Sequence, residues 1–484
     1  MDIVRLIEYF RIHQDHPRDI HVLASEPRTV ELLDKMRSQC PGSEISVYCP
    51  NPSDMEEAFR EIPSRYADVR ISFFPAEEVH TREQMGMLLF DERTDHNLLL
   101  KLASKSPTAL VGLMRGTNTS YLHIWEAFRE SCLHMYLRYR LHNDKLEILD
   151  WTRSKSGIEL SVIFPVYNVG KYLEQCIESI SAWKAPYVEY LFVNDGSPDN
   201  SRDIILLHSA KDPRIKLIDK PNGGCASARQ KGLDQAKGRY IGFIDPDDYI
   251  DPDMFRQLLS RALLGNYETC YCGYNEYYES TGTSCRAVDA LDGPYGWGTF
   301  DANHIHQLIL YQRVAIWRGI YSRELLDRAK ISFCTELRRF DDLPFKVEVC
   351  AQARSAVAIP QYLYYYRLNR PGQDVSCNDE RLYVHFDIFR HLDEVFDRLD
   401  NRKLRDYLQM CKIQTHAYAL SKIDVKFADE YCRRAKVDLS RNCGMLRTLL
   451  GLKRWLGGSG KGAYLAIMFG RGRAYKKHLE KKAK

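Results

Sequence analysis

"YIGFIDPDDYIDPDMF" occupies residues 240–255 and runs from an apolar, β-forming stretch directly into five aspartates, at 245, 247, 248, 251 and 253. Carboxylates brought this close repel one another unless a cation lies between them. Asp245, Asp247 and Asp248 offer hard oxygen ligands on a turn stiffened by Pro246, which fixes its own φ and restricts the residue before it. Mg2+ and Mn2+ are commonly held by one or two carboxylates together with substrate phosphates. A solvated acidic loop is the alternative reading. It suits Asp251 and Asp253, which open the helix-like "MFRQLLSRALL", better than it suits Asp245 and Asp247.

The stretch is the last part of a regular pattern. "LSVIFPVYN", "YVEYLFVNDGS", "IKLID" and "RYIGFID" are strand-like, and helix-like segments separate them. In "KYLEQCIESISAW", Leu173, Cys176, Ile177 and Ile180 share one helical face. A βαβαβαβ order with right-handed crossovers predicts an α/β fold around an open, Rossmann-like, mostly parallel sheet, with ligands at the carboxyl ends of the strands. Those ends carry Tyr167 and Asn168, then Asn194 and Asp195, then Asp245, Asp247 and Asp248. One such ending can be turn chemistry; three in a row point to a site. "KPNGGCASARQKG" adds a Gly pair at a helix start, where free N–H groups and the helix dipole favour an anion, with Arg229 and Lys231 close by.

The run from Ser161 to Phe255 resembles the family 2 glycosyltransferases, which have the GT-A fold. The resemblance rests on "PVYN" at 165–168, "VNDGSPDNS" at 193–201, "NGGCASARQKGL" at 222–233 and "GRYIGFIDPDDYIDP" at 238–252, in that order. A looser likeness continues to about residue 376. "AIWRGIYSRELL" is similar to the family's Trp-containing acceptor-side segment, "RRFDDLPF" to its acidic base motif, and "YLYYYRLNRPG" to the strand and loop behind it. The resemblance implies that Tyr167 and Asp195 hold a nucleotide base, with Pro165 and Asn168 shaping the pocket. Gly224, Arg229 and Pro246 would lie on the nucleotide-sugar side, Asp245 and Asp247 would serve the ribose and a bridging Mn2+ or Mg2+, and Asp342 would be the general base of an inverting transfer. Three departures stand out: Gln230 where Asn is usual, Arg318-Gly319 in place of Asn-Lys, and Asp341 in place of Glu. The expected partners are a nucleotide-sugar donor, UDP-linked, and a glycan or lipid-linked saccharide acceptor in surface polysaccharide synthesis. A non-catalytic nucleotide-sugar-binding module and a nucleotidyltransferase are the alternative readings.

Around this core the chain of 484 residues divides into 1–152, a small α/β domain of unassigned role; 157–376, the GT-A domain; 377–444, a helical extension; and 445–484, a basic amphipathic tail. The polar "DWTRSKSGIE" reads as the linker between the first two. The first domain alternates apolar runs such as "EISVYC" with helix-like stretches but carries no phosphate fingerprint. The net charge is +4, yet residues 445–484 hold eleven Lys or Arg against one acid, leaving −6 elsewhere. Basic residues mixed with Leu446, Leu449, Leu450, Trp455, Tyr464, Ile467 and Phe469 suggest an anionic membrane surface as a partner, in preference to nucleic acid. "GGSGKGAY" imitates a phosphate loop but has Gly462 where Ser or Thr is required. Fourteen scattered cysteines without zinc-site spacing, no signal-peptide core and no long apolar run predict a reduced, cytoplasmic protein, peripheral at the inner face of a membrane. Oligomeric state is not legible.

Overall fold

The computed structural model describes seven strands and Ser53 within the first 153 residues, and residues 158–483 apart from 266, 289, 293–296, 303, 312, 338, 370–376 and 442–457. The chain forms two compact units, the first holding residues 1–159, 185–188 and 259–267 and the second the remainder.

In the first unit, strands β1 (Asp19–Leu23), β2 (Glu44–Cys49), β3 (Arg70–Pro75), β4 (Met87–Asp91), β5 (Ala109–Met114), β6 (Met135–Leu141) and β7 (Glu147–Arg153) form one sheet in the order β3-β2-β1-β4-β5-β7-β6. β1 to β5 pair in parallel, as the alternating pattern predicts, and Val22, Ile45 and Val47 are buried on it. The expected helices of this unit lie outside the described residues, save for Ser53. The reading of "DWTRSKSGIE", residues 150–159, as a linker needs correction, because residues 150–153 complete β7, which pairs antiparallel with both β5 and β6. Trp151 and Thr152 favour strands, and pairing on both sides outweighs the polar character that suggested a linker.

The second unit begins with β8 (Leu160–Val166), α1 (Gly170–Ser181), β9 (Val188–Asn194), α2 (Ser201–Ser209), β10 (Ile215–Asp219), α3 (Cys225–Gln235) and β11 (Tyr240–Phe243). These strands lie in the order β10-β9-β8-β11, with β10 parallel to β9 and β8 parallel to β11. α1 buries Leu173, Cys176, Ile177 and Ile180, the face its spacing marks. After β12 (Tyr249–Ile250) and α4 (Met254–Gly265) come β13 (Thr269–Tyr278), β14 (Thr283–Arg286), β15 (Gly298–Asp301), β16 (Gly319–Ser322), α5 (Arg323–Ala329), α6 (Asp342–Gln352) and β17 (Ser355–Leu368). The sheet continues past β11 as β16-β13-β17-β12, with antiparallel joints at β11–β16, β16–β13 and β17–β12. It is parallel through the β8–β11 region and mixed beyond it.

Among the described residues the helices that follow are α7 (Val384–Leu399), α8 (Arg402–Lys422), α9 (Ala428–Ser440), α10 (Gly458–Met468) and α11 (Gly472–Ala483). Ile388, Phe389 and Leu392 of α7 and Leu404, Leu408 and Cys411 of α8 belong to the same apolar core as Ile163, Val193 and Phe243 of the sheet. The helical extension therefore shares the core of the α/β domain. Tyr464 and Ile467 of α10, expected on a membrane-facing tail, are instead buried with Ile413, Leu420, Tyr431 and Cys432. Their apolar surface is satisfied by helix packing, while Leu465 and Phe469 are the large apolar side chains exposed among the described residues of this segment. Leu446, Leu449, Leu450 and Trp455 lie outside the described residues. Among the described residues no helix is long and apolar enough to cross a membrane.

Close packing also accounts for one departure from the family pattern. A Cβ on Gly319 would lie 2.6 Å from Cδ1 of Tyr271 and 2.8 Å from the carbonyl oxygen of Cys270. The strands approach too closely for a side chain, and Tyr271 is buried and has no room to swing aside. Gly319→Ala is expected to destabilise the chain by about 1–3 kcal/mol in urea unfolding, as overpacking does. An unchanged midpoint would contradict this packing.

Candidate functional site

The carboxyl ends of β8, β9 and β11 open into a cleft of about 1150 Å³. Pro165, Tyr167, Asn168, Asp195, Gly224, Arg229, Asp245, Pro246, Asp247 and Asp342 all line it. The first nine arrive from the strand endings and from α3. Asp342 arrives from the opposite side at the first turn of α6.

Asp195 follows β9 and is buried. Its carboxylate accepts the N–H groups of Gly223 at 2.9 Å and Gly224 at 2.7 Å, and it pairs closely with the Lys220 ammonium. Gly224 takes φ +89° at the N-cap of α3, a conformation that favours glycine. Asp195 thus fixes the loop that starts α3. Tyr167 is half exposed at the mouth of the cleft, and Asn168 adopts φ +54°. Asn194 serves the turn, accepting the Ser197 N–H and donating to Asp219.

One buried cation joins the two sides. Arg229 of α3 donates from Nη1 to Asp341 Oδ2 and from Nη2 to Asp245 Oδ1, both at 2.7 Å. Arg229 and Asp341 are almost fully enclosed, whereas Asp245 keeps about a quarter of its side chain exposed to the cleft. The Nε–H of Arg229 is buried with no acceptor among the described residues. Lys231, flagged beside it in the sequence, is exposed and off the cleft.

The aspartates of the opening stretch have separate duties. Asp245 and Asp247 face the cleft. Asp248 is buried behind them, accepting the Tyr364 hydroxyl and the Arg367 N–H at 2.7 Å each. Burial, and then the charges of Asp247 and Asp245, push the Asp248 carboxyl well above the usual carboxylate range. Asp251 accepts the Asp253 N–H, and Asp253 pairs with Arg256, so both belong to the turn into α4.

On the α6 side, Phe340 adopts φ +55°, a left-handed conformation that costs a non-glycine residue energy and orients the two acids after it. Asp341 is held by Arg229. Asp342 is raised to about 7, first by burial and then by Asp341, with Arg229 opposing and Asp245 adding to the rise. Trp317 lines the same wall and stacks on Tyr364 with ring centroids 4.1 Å apart. Arg318, beside it, is fully buried and takes no part in the lining. Gln230 likewise stays off the cleft and bonds the Phe333 N–H and Asp234. The cleft also takes Tyr274, Glu276 and Arg313 from the antiparallel half and His385, Gln414, Thr415 and Tyr418 from the helical extension. None of these had a local sequence signal, because each reaches the site only through long-range packing.

Two carboxylates at the cleft suit a hard cation that takes its remaining ligands from phosphate and water. Among the described residues no group of three or more His, Cys, Asp or Glu is placed to hold a metal alone. Asp245 and Asp247 therefore fit Mn2+ or Mg2+ only together with a phosphate-bearing ligand.

The raised Asp342 carboxyl links stability to pH. Its folded value of about 7 exceeds the ordinary 3.8, so the folded state holds the proton more tightly and loses stability as pH rises between the two. Asp342→Asn removes that cost. The variant is expected to melt above the native chain at about pH 8, with the difference vanishing towards about pH 4. An advantage independent of pH, or a lower melting temperature at about pH 8, would contradict the assignment.

Residues 161–310 match the family model of glycosyl transferase family 2. The chain is 34% identical over 214 residues to the uncharacterized glycosyltransferase EpsJ of Bacillus subtilis (strain 168), a match covering 43% of this chain and 61% of EpsJ. It therefore spans about three fifths of that relative. It is 30% identical over 218 residues to the glycosyltransferase GlyG of Streptococcus pneumoniae serotype 4, covering 43% of this chain and 70% of GlyG. Among solved structures it is similar to S. aureus TarS 1-349, also determined in complex with UDP, with a TM-score of 0.52 and 16% identity over 67% of this chain and 92% of that one. At that identity the likeness is one of fold, the mixed α/β sheet of the GT-A type. Together with the motifs lining the cleft, these matches show that the chain belongs to glycosyl transferase family 2.

Proposed function

We propose that the protein is an inverting glycosyltransferase that moves a sugar from a nucleoside diphosphate, UDP, to a hydroxyl of a glycan or lipid-linked saccharide in surface polysaccharide synthesis. The observation that carries this reading is the placement of the Asp342 carboxyl, raised to about 7, across one cleft from Asp245 and Asp247. The UDP complex of TarS 1-349 supports the choice of nucleotide.

The base of the donor would lie between Tyr167 and Asp195, and the diphosphate beside Asp245, Asp247 and the start of α3. Mn2+ or Mg2+, held by Asp247 and Asp245, would neutralise charge on the departing diphosphate. Asp342 takes the proton from the acceptor hydroxyl as it attacks the anomeric carbon from the opposite face. A base with a value near 7 is partly ionised near neutral pH and is a competent proton acceptor. Asp341 keeps Asp342 in place by anchoring the first turn of α6 to Arg229.

The test is release of free nucleoside diphosphate from a panel of nucleotide sugars with Mn2+ and saccharide acceptors. Turnover is expected with UDP-sugars, with an acid limb near pH 7 set by Asp342. Asp342→Asn is expected to lower turnover by about 10²–10⁴-fold with UDP affinity retained. Near-native turnover of Asp342→Asn, or pyrophosphate release from a nucleoside triphosphate in place of UDP release, would overturn the reading.

A further inference from the structure

The reaction proposed above leaves the acceptor side of the cleft without an assigned recognition element. α8 lies beyond the residues 161–310 matched by the family model, yet it presents Gln414, Thr415 and Tyr418 to the cleft that holds Asp342. These positions, i, i+1 and i+4, form one stripe on the helix.

The opposite face of α8 is fastened by a buried polar network. The Lys412 ammonium, wholly enclosed, donates to Asp393 Oδ2 of α7 at 2.7 Å and to Asp438 Oδ1 of α9 at 3.0 Å. His416, one turn along, bonds Asp438 at 2.9 Å and the Tyr431 hydroxyl at 2.9 Å. A buried charge pair of this kind contributes geometry more than net stability, and here it fixes the rotation of α8 against both neighbouring helices. The cleft stripe is therefore held rigidly, which lowers the ordering cost of binding there.

Tyr418 keeps 40% of its surface exposed on this fixed helix. A large aromatic surface left open in a cleft beside an amide and a hydroxyl suits a ligand with one apolar face and a polar rim. The C–H face of a pyranose ring has that character. The Lys422 ammonium lies 6.0 Å from the Tyr418 ring centroid, and Arg313, which also lines the cleft, is engaged by the Tyr274 hydroxyl at 2.5 Å and by Glu276 at 3.1 Å.

We propose that Tyr418 and Gln414 of α8 form an acceptor subsite for a pyranose unit, with Tyr418 as the stacking surface and Gln414 bonding ring hydroxyls. The assignment rests on the transfer reading given above. The probes are p-nitrophenyl β-glucoside, β-galactoside, β-N-acetylglucosaminide and β-glucuronide. They are used with the full chain, UDP-sugar and Mn2+. The native chain is expected to glycosylate at least one of these probes. Tyr418→Ala is expected to raise the KM for that probe by about tenfold, with less change in kcat, while Tyr418→Phe stays within about twofold of native. UDP affinity, read by calorimetry, checks that each variant is folded and is a separate readout from acceptor KM. An unchanged acceptor KM in Tyr418→Ala, or failure of the native chain to use any of the probes while it still hydrolyses the donor, would overturn the subsite. Absence of both UDP binding and donor hydrolysis in the native chain would instead sink the transfer reading on which the subsite depends.

Discussion

The bidentate engagement of Arg229, one nitrogen on Asp245 and the other on Asp341, is the constraint from which the rest of the site follows. It ties the end of β11 to the first turn of α6, elements about a hundred residues apart in the chain. A guanidinium fits this task because its donors are planar, fixed and permanently charged. Without it, the Asp341 carboxylate would be enclosed without a counterion, a situation proteins avoid. With it, Asp342 is left as the acid of this group that feels burial and a neighbouring charge with only partial compensation. Its carboxyl accordingly rises towards neutrality.

The helical extension has a related part. α7 and α8 contribute to the core that supports the sheet, and His385 of α7 reaches the cleft, where its ring packs 5.2 Å from that of Phe340. Burial, reinforced by His416, pushes His385 down to about 3, so it is neutral and adds no charge to this part of the cleft. Phe340 carries the left-handed backbone that precedes Asp341, and packing against His385 helps hold that conformation. The acid pair is thus positioned from both directions, by Arg229 below and by the helices alongside.

Much of the parallel region was legible from the chain because its signals are local. The spacing of Leu173, Cys176, Ile177 and Ile180 marks the buried face of α1, and the polar endings of β8, β9 and β11 converge because parallel strands share an edge. What was not legible depends on distant partners. Gly319 looks like a loss of acceptor chemistry until the approach of Tyr271 and Cys270 explains it. Gln230, a departure from the usual Asn, accepts from the backbone of Phe333, a partner about a hundred residues away. The 150–153 segment looks like a linker until its pairing with β5 and β6 is known, and Tyr464 and Ile467 look like a membrane face until α8 and α9 cover them. Tyr418 and Gln414 carry no motif, because a helix surface reaches a cleft only through the packing of its other side.

The central claim is a single in-line displacement in which Asp342 deprotonates the acceptor while the donor carboxylates lie across the cleft. The anomeric configuration of the first-formed product, read by proton NMR from the coupling at its anomeric centre, tests this most directly. With an α-linked UDP-sugar the account predicts a β-linked product. An α-linked product would require a second displacement or front-face attack, and would contradict it.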